Sequence, residues 1–294
     1  IVGILGAGMS ALARLYLERG QRVSGSDIEE NERLAALRAL GAEIFVGHSI
    51  SNVEGADRVV FSPAVPRENA ELVAARALGV PVVSRARALS DLLEVRKVIS
   101  IAGSHGKTTT TALLAYILDR AGLRPGYMLG ADCASFGGGN ARWSNTGPFV
   151  SESCEAFRAL DFWRPDHCVV TNVDDEHSEH YGSFADLITA FGDFVARVPE
   201  GNRVLLCGDC PTLISMAACA NGRAETYGFN HGVTWRAAIL KETPTSSDFD
   251  VWHRGIHIGC ASVNLPGRHN ALNAVAALAM ACNFGVSFEQ AASS

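Results

Sequence analysis

The sequence predicts an α/β protein with two domains, each built around a mainly parallel sheet. Over residues 1–93, short apolar runs alternate with helical patterns, which is typical of parallel βαβ units. A second series of this kind starts at Val98, after the charged segment Glu94–Lys97. The chain has 294 residues, 48% of them hydrophobic, enough for about two cores. We therefore predict domains over residues 1–93 and 94–294.

The first domain is predicted to alternate four strands with four helices. The strand candidates are Ile1–Leu5, Arg22–Gly25, Arg58–Phe61 and Val80–Val83. The helix candidates are Met9–Arg19, Asn31–Leu40, Asn69–Leu78 and Ala86–Leu93.

A glycine cluster connects the first strand to the first helix of this domain, where a bound pyrophosphate would lie. The cluster continues through Gly6, Ala7, Gly8, Met9 and Ser10. An acidic residue after the second strand, at position 27, is placed to meet a ribose or base. The pattern predicts a Rossmann-like domain that binds a nucleotide or nucleotide sugar. Glycines at such turns often serve only packing, so that interpretation stays open.

The second domain is predicted to be a larger α/β unit with a small antiparallel patch. Its strand candidates are Val98–Ala102, Phe149–Ser151, His167–Asn172 and Arg203–Cys207, and its helix candidates are Thr110–Ala121, Phe184–Val198 and Asn270–Phe284. The antiparallel patch is predicted from Trp235–Ile239, Asp250–His253 and Ser262–Leu265. The last residues, Phe288–Ser294, are typical of the start of a helix, so we expect the chain to be a fragment.

The phosphate loop, as we call residues 103–109, is the strongest motif in the chain. It reads Gly103, Ser104, His105, Gly106, Lys107, Thr108 and Thr109. It follows an apolar strand and precedes a helix, so backbone N–H groups and the helix N-terminus would face a phosphate group. Lys107 can reach the outer phosphates of a nucleotide, and the Thr108 hydroxyl can ligate Mg²⁺. The compact Gly-x-x-Gly-Lys-Thr spacing predicts a variant of the P-loop ATPase type of α/β domain.

Polar residues also follow other predicted strands. Glu152 ends the run that starts at Phe149, and its carboxylate is a candidate Mg²⁺ ligand beside Thr108. A solvated loop carboxylate is the alternative. His177 closes an acidic segment after the strand at His167, but a lone histidine is an unusual ligand for Mg²⁺, and its role as a ligand stays open.

The start of the last helix carries a third constellation. Asn273 lies one turn after Asn270, so its amide could read an adenine edge with paired donor and acceptor groups. Simple capping is the alternative interpretation for Asn270.

Composition excludes several classes of protein. A net charge of −6 argues against a broad nucleic-acid-binding surface. No apolar run is long enough to span a bilayer, and the N-terminus lacks the basic start of a signal peptide. The eight scattered cysteines favour reduced thiols and a cytoplasmic location. Cys207 and Cys210 are better explained as a strand-end and a loop residue than as a metal or redox pair.

Taken in order, these motifs resemble the Mur ligase family, ATP-dependent ligases that build the peptide stem of bacterial peptidoglycan. The phosphate loop is similar to the ATP loop of that family, and Thr171–Val173 leading to His177 is similar to its Thr-Asn-Ile…Asp-His motif. His269–Asn273 matches its His-Asn-x-x-Asn motif. The resemblance implies ATP and Mg²⁺ as cofactors and a site made of three groups of residues. These groups are Lys107, Glu152 and His177 for catalysis, with Thr108, Glu152 and His177 holding metal; the phosphate loop with His269 and Asn273 for ATP; and Gly6, Ala7, Gly8, Met9, Ser10, Asp27, His48 and Ser62 for a UDP-sugar.

Within the family, the chain is most similar to the branch that joins L-alanine to UDP-N-acetylmuramate, which implies these two substrates. The segments that carry this similarity are Gly6–Ser10, Val23–Asp27, Gly138–Arg142 and Pro266–Asn270. Other branches carry a carbamylated lysine near the position of Gly192, where this chain has none. Four positions depart from the family pattern: Leu5, Pro63, Arg87 and Glu176. Because the family uses a third domain to close over ATP, we expect this chain alone to be inactive.

Three alternatives remain at this point. The recycling branch of the family joins a tripeptide to the same UDP-sugar. A non-catalytic module that binds a UDP-sugar or nucleotide is a second alternative. An NAD-dependent oxidoreductase is the third, but the second phosphate-binding turn argues against it.

Overall fold

The computed structural model describes residues 1–220 and 224–294 and divides into two compact units. The first unit contains Ile1–Val95 and Met128–Trp143. The second contains Arg96–Tyr127 and Ser144–Ser294. Residues 128–143 therefore belong to the first unit, whereas each predicted domain is one continuous segment. Among the described residues, no helix has the length and hydropathy needed to cross a membrane.

The first unit alternates strands and helices as predicted. In chain order its elements are α1 (Ala7–Glu18), β1 (Ser24–Asp27), α2 (Arg33–Ala39), β2 (Glu43–Val46), β3 (Val59–Phe61), α3 (Ala70–Ala77), β4 (Val82–Ser84) and α4 (Arg85–Leu93).

The strands β1 to β4 of the first unit form two parallel pairs. Strand β1 pairs with β2, and β3 pairs with β4. Val2 bridges these two pairs, through Ser26 on one side and Phe61 on the other. The predicted strand Ile1–Leu5 is wrong in extent, because Gly3 adopts a positive φ of 79° and turns the chain toward α1 after a single bridging residue.

Two apolar clusters stabilise the first unit. One gathers Ile4, Leu5 and Ala13 with residues of β2 and α2, and the other gathers Val2 and Leu72 with residues of β3 and α3. Burial of this kind contributes roughly 25 cal/mol for each Å² of apolar surface removed from water. The glycine turn between Val2 and α1 is therefore anchored by packed residues at both ends.

The remaining elements follow in chain order, most of them in the second unit. They are β5 (Val98–Ala102), α5 (Lys107–Arg120), β6 (Gly126–Cys133), β7 (Gly139–Arg142), β8 (Phe149–Ser153), β9 (His167–Val170), α6 (Phe184–Ala196), β10 (Val204–Cys207), α7 (Pro211–Met216), β11 (Ala224–Gly228), β12 (Trp235–Glu242), β13 (Ser247–His253), β14 (Ile256–Val263), α8 (Arg268–Asn283) and α9 (Phe288–Ala292). Strand β6 continues into the first unit, where β7 belongs.

The sheet of the second unit has the strand order β14-β13-β12-β11-β10-β9-β5-β8-β6. Strands β8, β5, β9, β10, β11 and β12 pair in parallel, and β12, β13 and β14 pair antiparallel. Every residue of β5, β9 and β10 is buried, as expected for central parallel strands covered on both faces. The predicted fold class is thereby confirmed, including the antiparallel patch.

Several predicted boundaries were wrong, and each has a local cause. Helix α5 begins at Lys107 and not at Thr110, because Gly106 in the left-handed region leads directly into the first helical turn. Strand β14 begins at Ile256 and not at Ser262. Its first half contains Gly259, and glycine is disfavoured in the interior of a strand, so this half was not predicted as a strand.

Candidate functional site

The phosphate loop lies at the carboxyl end of β5, between that buried strand and the 14-residue helix α5. Gly103 adopts a φ of 130°, and a Cβ there would lie 2.2 Å from Oγ1 of Thr171. Gly106 adopts a φ of 82° and occupies the N-cap of α5, where it has no side chain to accept from the N–H groups of the first turn. These N–H groups and the positive end of the helix dipole make the loop suited to an anion.

Residues after β9 brace the phosphate loop. The Thr171 hydroxyl donates to the carbonyl oxygen of His105 at 2.5 Å. The side-chain oxygen of Asn172 accepts from the backbone N–H of His105 at 2.8 Å. The backbone carbonyl oxygen of Asn172 accepts from the backbone N–H of Ser104 at 3.1 Å. Sequence reasoning treated Thr171 and Asn172 as a lead-in to His177 and missed this role. No local sequence pattern pointed to it, because these contacts join segments more than sixty residues apart.

Lys107 lies within the loop and faces a buried carboxylate. Its ammonium group donates to the carbonyl oxygen of Ser104 at 2.9 Å and to that of Gly103. The same nitrogen lies 3.1 and 3.2 Å from the two carboxylate oxygens of Glu155, whose side chain is only 1% exposed. Glu155 therefore holds the lysine charge close to the loop. Glu152 was predicted from the sequence and Glu155, three residues later, was missed, because nothing in the pattern showed which carboxylate is buried.

The backbone of Glu155 is fixed by Tyr181. The Tyr181 hydroxyl donates to the carbonyl oxygen of Glu155 at 2.8 Å. Burial raises the pKa of this hydroxyl above its ordinary value, so it stays a donor at neutral pH. The ion pair of Glu155 with Lys107 is thus supported from a second segment of the chain.

The three residues predicted to hold metal lie at one edge of the sheet. Thr108 is the second residue of α5, which follows β5. Glu152 is on β8, where it pairs with Ile101 of β5, and His177 follows β9. Because β9, β5 and β8 are adjacent and parallel, their carboxyl ends meet at the same edge.

The His177 ring lies close to two further potential ligands, Glu179 and His180. The ligand atoms of His177, Glu179 and His180 lie within 4.8 Å of one another. Glu176, which departs from the family pattern, lies with a carboxylate oxygen 3.3 Å from Nε2 of His105. The segment that follows β9 is therefore tied to the phosphate loop through His105 as well.

The start of α8 lies against the phosphate loop. Asn273 is 7% exposed, and a Cβ added to Gly106 would lie 2.5 Å from its Oδ1. Asn270 donates from Nδ2 to the carbonyl oxygen of Pro266 at 2.7 Å and fixes the helix start. The His269 ring covers Gly267. The adenine contacts of His269 and Asn273 stay predictions.

In the first unit, Asp27 braces the glycine turn. Its carboxylate accepts from the backbone N–H of Leu5 at 2.8 Å and from that of Ile28 at 2.9 Å. The Leu5 side chain is 2% exposed and belongs to the core, so it points away from the turn. The turn leads into the N-terminus of α1, whose N-cap is Gly6. This geometry is suited to a phosphate group in the same way as the loop of the second unit.

Two further residues approach the start of α1. A Cβ added to Gly8 would lie 1.8 Å from a guanidinium nitrogen of Arg85, so this cation lies directly on the turn. Asn140, on β7, donates from Nδ2 to the carbonyl oxygen of Ala7 at 3.0 Å. Neither residue was singled out as a ligand from the sequence, since both are distant from the turn along the chain.

The other residues predicted for the UDP-sugar lie around β1 and β3. His48 lies with Nδ1 3.1 Å from the Ser26 hydroxyl and 3.1 Å from a carboxylate oxygen of Glu71. The Glu71 side chain is 1% exposed, so this is a buried polar network next to the end of β1. Ser62 follows β3, and its Cβ would lie 3.1 Å from a Cβ added to Gly3. The structure thus brings Ser62 to the glycine turn and places His48 in the network of Ser26.

All eight cysteines fall within the described residues, and each is a free thiol. Burial raises the pKa of the Cys207 thiol to about 11, which makes it unreactive at neutral pH. This agrees with the interpretation of Cys207 and Cys210 as structural residues.

Two family models match this chain. The model described as the Mur ligase family, catalytic domain, matches residues 1–97. The model described as the Mur ligase middle domain matches residues 101–281. Both glycine turns with their following helices therefore fall inside matched segments.

Among curated relatives, the UDP-N-acetylmuramate–L-alanine ligase of Magnetococcus marinus is 40% identical over 98% of this chain and 62% of its own length. The protein of the same name from Acidothermus cellulolyticus is 40% identical over 99% of this chain and 61% of its own length. The chain thus spans about three fifths of the length of the curated relatives it matches.

Solved structures give the same picture. The UDP-N-acetylmuramate-alanine ligase from Thermotoga maritima has a TM-score of 0.88 and 31% identity, and the match covers 99% of this chain and 66% of that chain. The UDP-N-acetylmuramate:L-alanyl-gamma-D-glutamyl-meso-diaminopimelate ligase from Neisseria meningitides has a TM-score of 0.89 and 29% identity, covering 99% of this chain and 95% of that chain.

Proposed function

Because this chain belongs to the Mur ligase family, we propose that its two units are the sugar-nucleotide-binding and ATP-binding parts of a ligase that joins L-alanine to UDP-N-acetylmuramate. The observation that carries the proposal is the phosphate loop, with two positive-φ glycines, a lysine and an uncapped helix N-terminus. The 40% identity to ligases of that name supports the choice of substrates. Such substrates are soluble, and we place the reaction in the cytoplasm.

The proposed reaction activates a carboxylate at the expense of ATP. The carboxylate oxygen of the UDP-sugar attacks the γ-phosphorus, the bond to the bridging oxygen breaks, and ADP leaves. The amine of L-alanine then attacks the acyl carbon and phosphate leaves, so one amide bond forms for each ATP cleaved. Lys107 and the N–H groups of α5 bind the phosphates and neutralise their charge, which is the main requirement of phosphoryl transfer.

Two of the predicted metal ligands fit Mg²⁺. A hydroxyl and a carboxylate oxygen, from Thr108 and Glu152, are the hard donors that this ion prefers, and both lie at the edge of the sheet that carries the phosphate loop. His177 is a softer nitrogen donor and has Glu179 and His180 as its near neighbours. When bound, Mg²⁺ supplies positive charge to the phosphate oxygens. We propose that Thr108 and Glu152 hold it and that His177 completes the set.

The UDP-sugar is assigned to the first unit. The N-terminus of α1 and the Arg85 guanidinium offer positive charge at the glycine turn, which suits a diphosphate. Gly6–Ser10, with Ser62 beside Gly3, are proposed to contact it. Asp27 and His48 are proposed to act through the polar network at the end of β1.

A second candidate function is the ligation of a tripeptide to the same UDP-sugar. It is supported by the similarity to the Neisseria ligase, whose name contains that peptide. Both candidates share ATP and the sugar nucleotide and differ only in the amine. A non-catalytic nucleotide-binding module is the remaining alternative.

Nucleotide binding by this chain is the first test. Titration calorimetry with ATP and Mg²⁺ should show binding, and Lys107→Ala should weaken it by about 10- to 100-fold, since a charged hydrogen-bond donor is worth about 1.5–3 kcal/mol. Lys241→Ala is the matched control, because Lys241 lies exposed on β12. Equal affinities of the two variants would refute the role of Lys107.

The amine is tested by phosphate release from ATP by the full-length protein in the presence of UDP-N-acetylmuramate. Release that depends on L-alanine supports the first candidate, and release that depends on the tripeptide L-Ala-γ-D-Glu-meso-diaminopimelate supports the second. Binding of ATP without release under either condition would favour the non-catalytic module.

A further inference from the structure

Three side chains of different chemistry converge on the exposed hairpin of β13 and β14. The carboxylate of Asp250, the imidazole of His257 and the thiol of Cys260 each offer one ligand atom, and these atoms all lie within 4.8 Å of one another. Nε2 of His257 lies 2.8 Å from Oδ1 of Asp250, and the Cys260 thiol donates to the same oxygen at 2.9 Å. None of the three belongs to the nucleotide or sugar sites described above.

A β-bulge is what brings these residues to one face of the sheet. Asp250 pairs with Cys260, whereas Trp252 pairs with His257, so two steps along β13 correspond to three steps along β14. Ile258 is the extra residue. In a regular strand, positions 257 and 260 would point to opposite faces; the bulge turns His257 to the face of Cys260.

We propose that Asp250, His257 and Cys260 bind a divalent transition-metal ion, with zinc as the best match. Thiolate, imidazole and carboxylate are the three ligand types that zinc takes in proteins, whereas Mg²⁺ and Ca²⁺ prefer oxygen donors alone. Bonds of roughly 2.0–2.3 Å place the donors of a tetrahedral zinc ion about 3.3–3.8 Å apart, so small side-chain rotations bring the three atoms into position.

The proton balance of binding is simple. Cys260 releases its thiol proton to solvent and binds as thiolate. The Nε2 proton of His257, which is donated to Asp250 before binding, moves through solvent to Nδ1, and the ring binds through the lone pair that this leaves on Nε2. Asp250 exchanges its two hydrogen bonds for the metal, and water fills the fourth position, as in open zinc sites.

The surroundings of the cluster favour a cation. Asp248 lies on the same face of β13, two residues away, and accepts from the Ser262 hydroxyl at 2.6 Å. The guanidinium of Arg236, on the neighbouring strand, is stacked on the Trp252 ring at 3.8 Å from its centre. This contact holds the arginine charge on the tryptophan. The Trp252 ring centre lies 5.1 Å from that of His257, so this tryptophan is a built-in reporter of metal binding.

The opposite face of the hairpin supports the ligands. Phe249 and Val251 are fully buried there, next to α8. The Phe288 ring of α9 lies where a side chain at Gly259 would stand. A packed strand of this kind holds its outward side chains at fixed spacing, which lowers the entropy that metal binding must overcome.

Cobalt and zinc titrations of the purified chain test the proposal. Co²⁺ should give a thiolate-to-cobalt charge-transfer band in the near ultraviolet and quench tryptophan fluorescence, and Zn²⁺ should displace it at one ion per chain. Cys260→Ser should abolish the band. His257→Gln and Asp250→Asn should weaken zinc binding by more than about 100-fold, since loss of an outer-shell partner alone costs about 10- to 100-fold.

Two matched controls make the result decisive. Cys210→Ser removes a thiol that lies outside the cluster, and His177→Gln removes one ligand of the other group of potential metal ligands, His177, Glu179 and His180. Both should keep the cobalt band and the zinc affinity at this site. A band that survives Cys260→Ser, or that disappears in Cys210→Ser, would overturn the proposal. Unchanged ATP binding by Cys260→Ser shows that the second unit is still folded, so a lost band cannot be attributed to unfolding.

Discussion

Gly106→Ala tests whether the phosphate loop is shaped by the steric fit of Gly106 against Asn273. The backbone at Gly106 has a φ of 82°, which costs a non-glycine residue about 1–2 kcal/mol. The added methyl group would also lie 2.5 Å from Oδ1 of Asn273, whose side chain is almost fully buried and must shift. Displacing a packed core side chain costs about 1–3 kcal/mol. We therefore expect the free energy of unfolding to fall by about 2–5 kcal/mol in total, and ATP binding to weaken.

Gly122→Ala is the matched control for this variant. Gly122 has the same φ of 82° and also belongs to the second unit, but no atom of the described residues lies within 4 Å of an added Cβ. Its free energy of unfolding should fall only by the cost of the backbone conformation, about 1–2 kcal/mol, and it should bind ATP normally. Urea unfolding and titration calorimetry measure both quantities. Equal losses of stability in the two variants would refute the steric argument, and Asn273→Ala introduced into Gly106→Ala should recover part of the lost stability if the argument is right.

Three more predictions follow from the contacts described above. Glu155→Ala should lower the free energy of unfolding by about 3–5 kcal/mol, because it leaves the charge of Lys107 without its buried partner. In urea unfolding at neutral pH, Glu155→Gln should lower this free energy by less, and Glu200→Ala, at an exposed position, should leave it almost unchanged. Burial lowers the pKa of His167 from 6.5 to about 4. Between these two pH values the unfolded chain binds more protons than the folded chain, so the free energy of unfolding falls as the pH falls from about 6.5 to 4, by up to about 3 kcal/mol. His167→Gln should lack this part of the acid sensitivity, whereas His231→Gln, in an exposed loop, should keep it. Arg85→Ala should weaken the binding of UDP-N-acetylmuramate by about 10- to 100-fold in calorimetry, since it removes the guanidinium at Gly8, and Arg87→Ala, whose exposed side chain pairs with Asp91, should not.

The phosphate loop was predictable from sequence because its requirements are local. Positive φ angles at Gly103 and Gly106, a buried strand before them and a helix after them leave traces within about twenty residues. The strands β5, β9 and β10 were found for the same reason, as continuous apolar runs that mark buried parallel strands. The antiparallel patch was found from its aromatic and branched residues, though β14 was placed too late in the chain.

The supporting contacts of the loop were not predictable, because they join distant segments. Glu155 and Glu152 have the same chemistry in the sequence, and only the fold shows that Glu155 is the one beside Lys107. Thr171 and Asn172 reach the loop from the neighbouring strand. Strands β7 and β11 were missed because they lack a run of consecutive apolar residues, and β2 and β6 were missed although each contains three of them.

The departures from the family pattern can now be weighed by where their side chains lie. Leu5 points into the core while its N–H binds Asp27, so the glycine turn keeps its shape without a glycine at this position. Glu176 keeps a carboxylate beside His105, and Arg87 forms an exposed pair with Asp91 on one face of α4. The Leu5 side chain therefore stays out of the turn at the N-terminus of α1. The case for a sugar nucleotide in the first unit therefore rests on the shape of that turn and on the charge of Arg85.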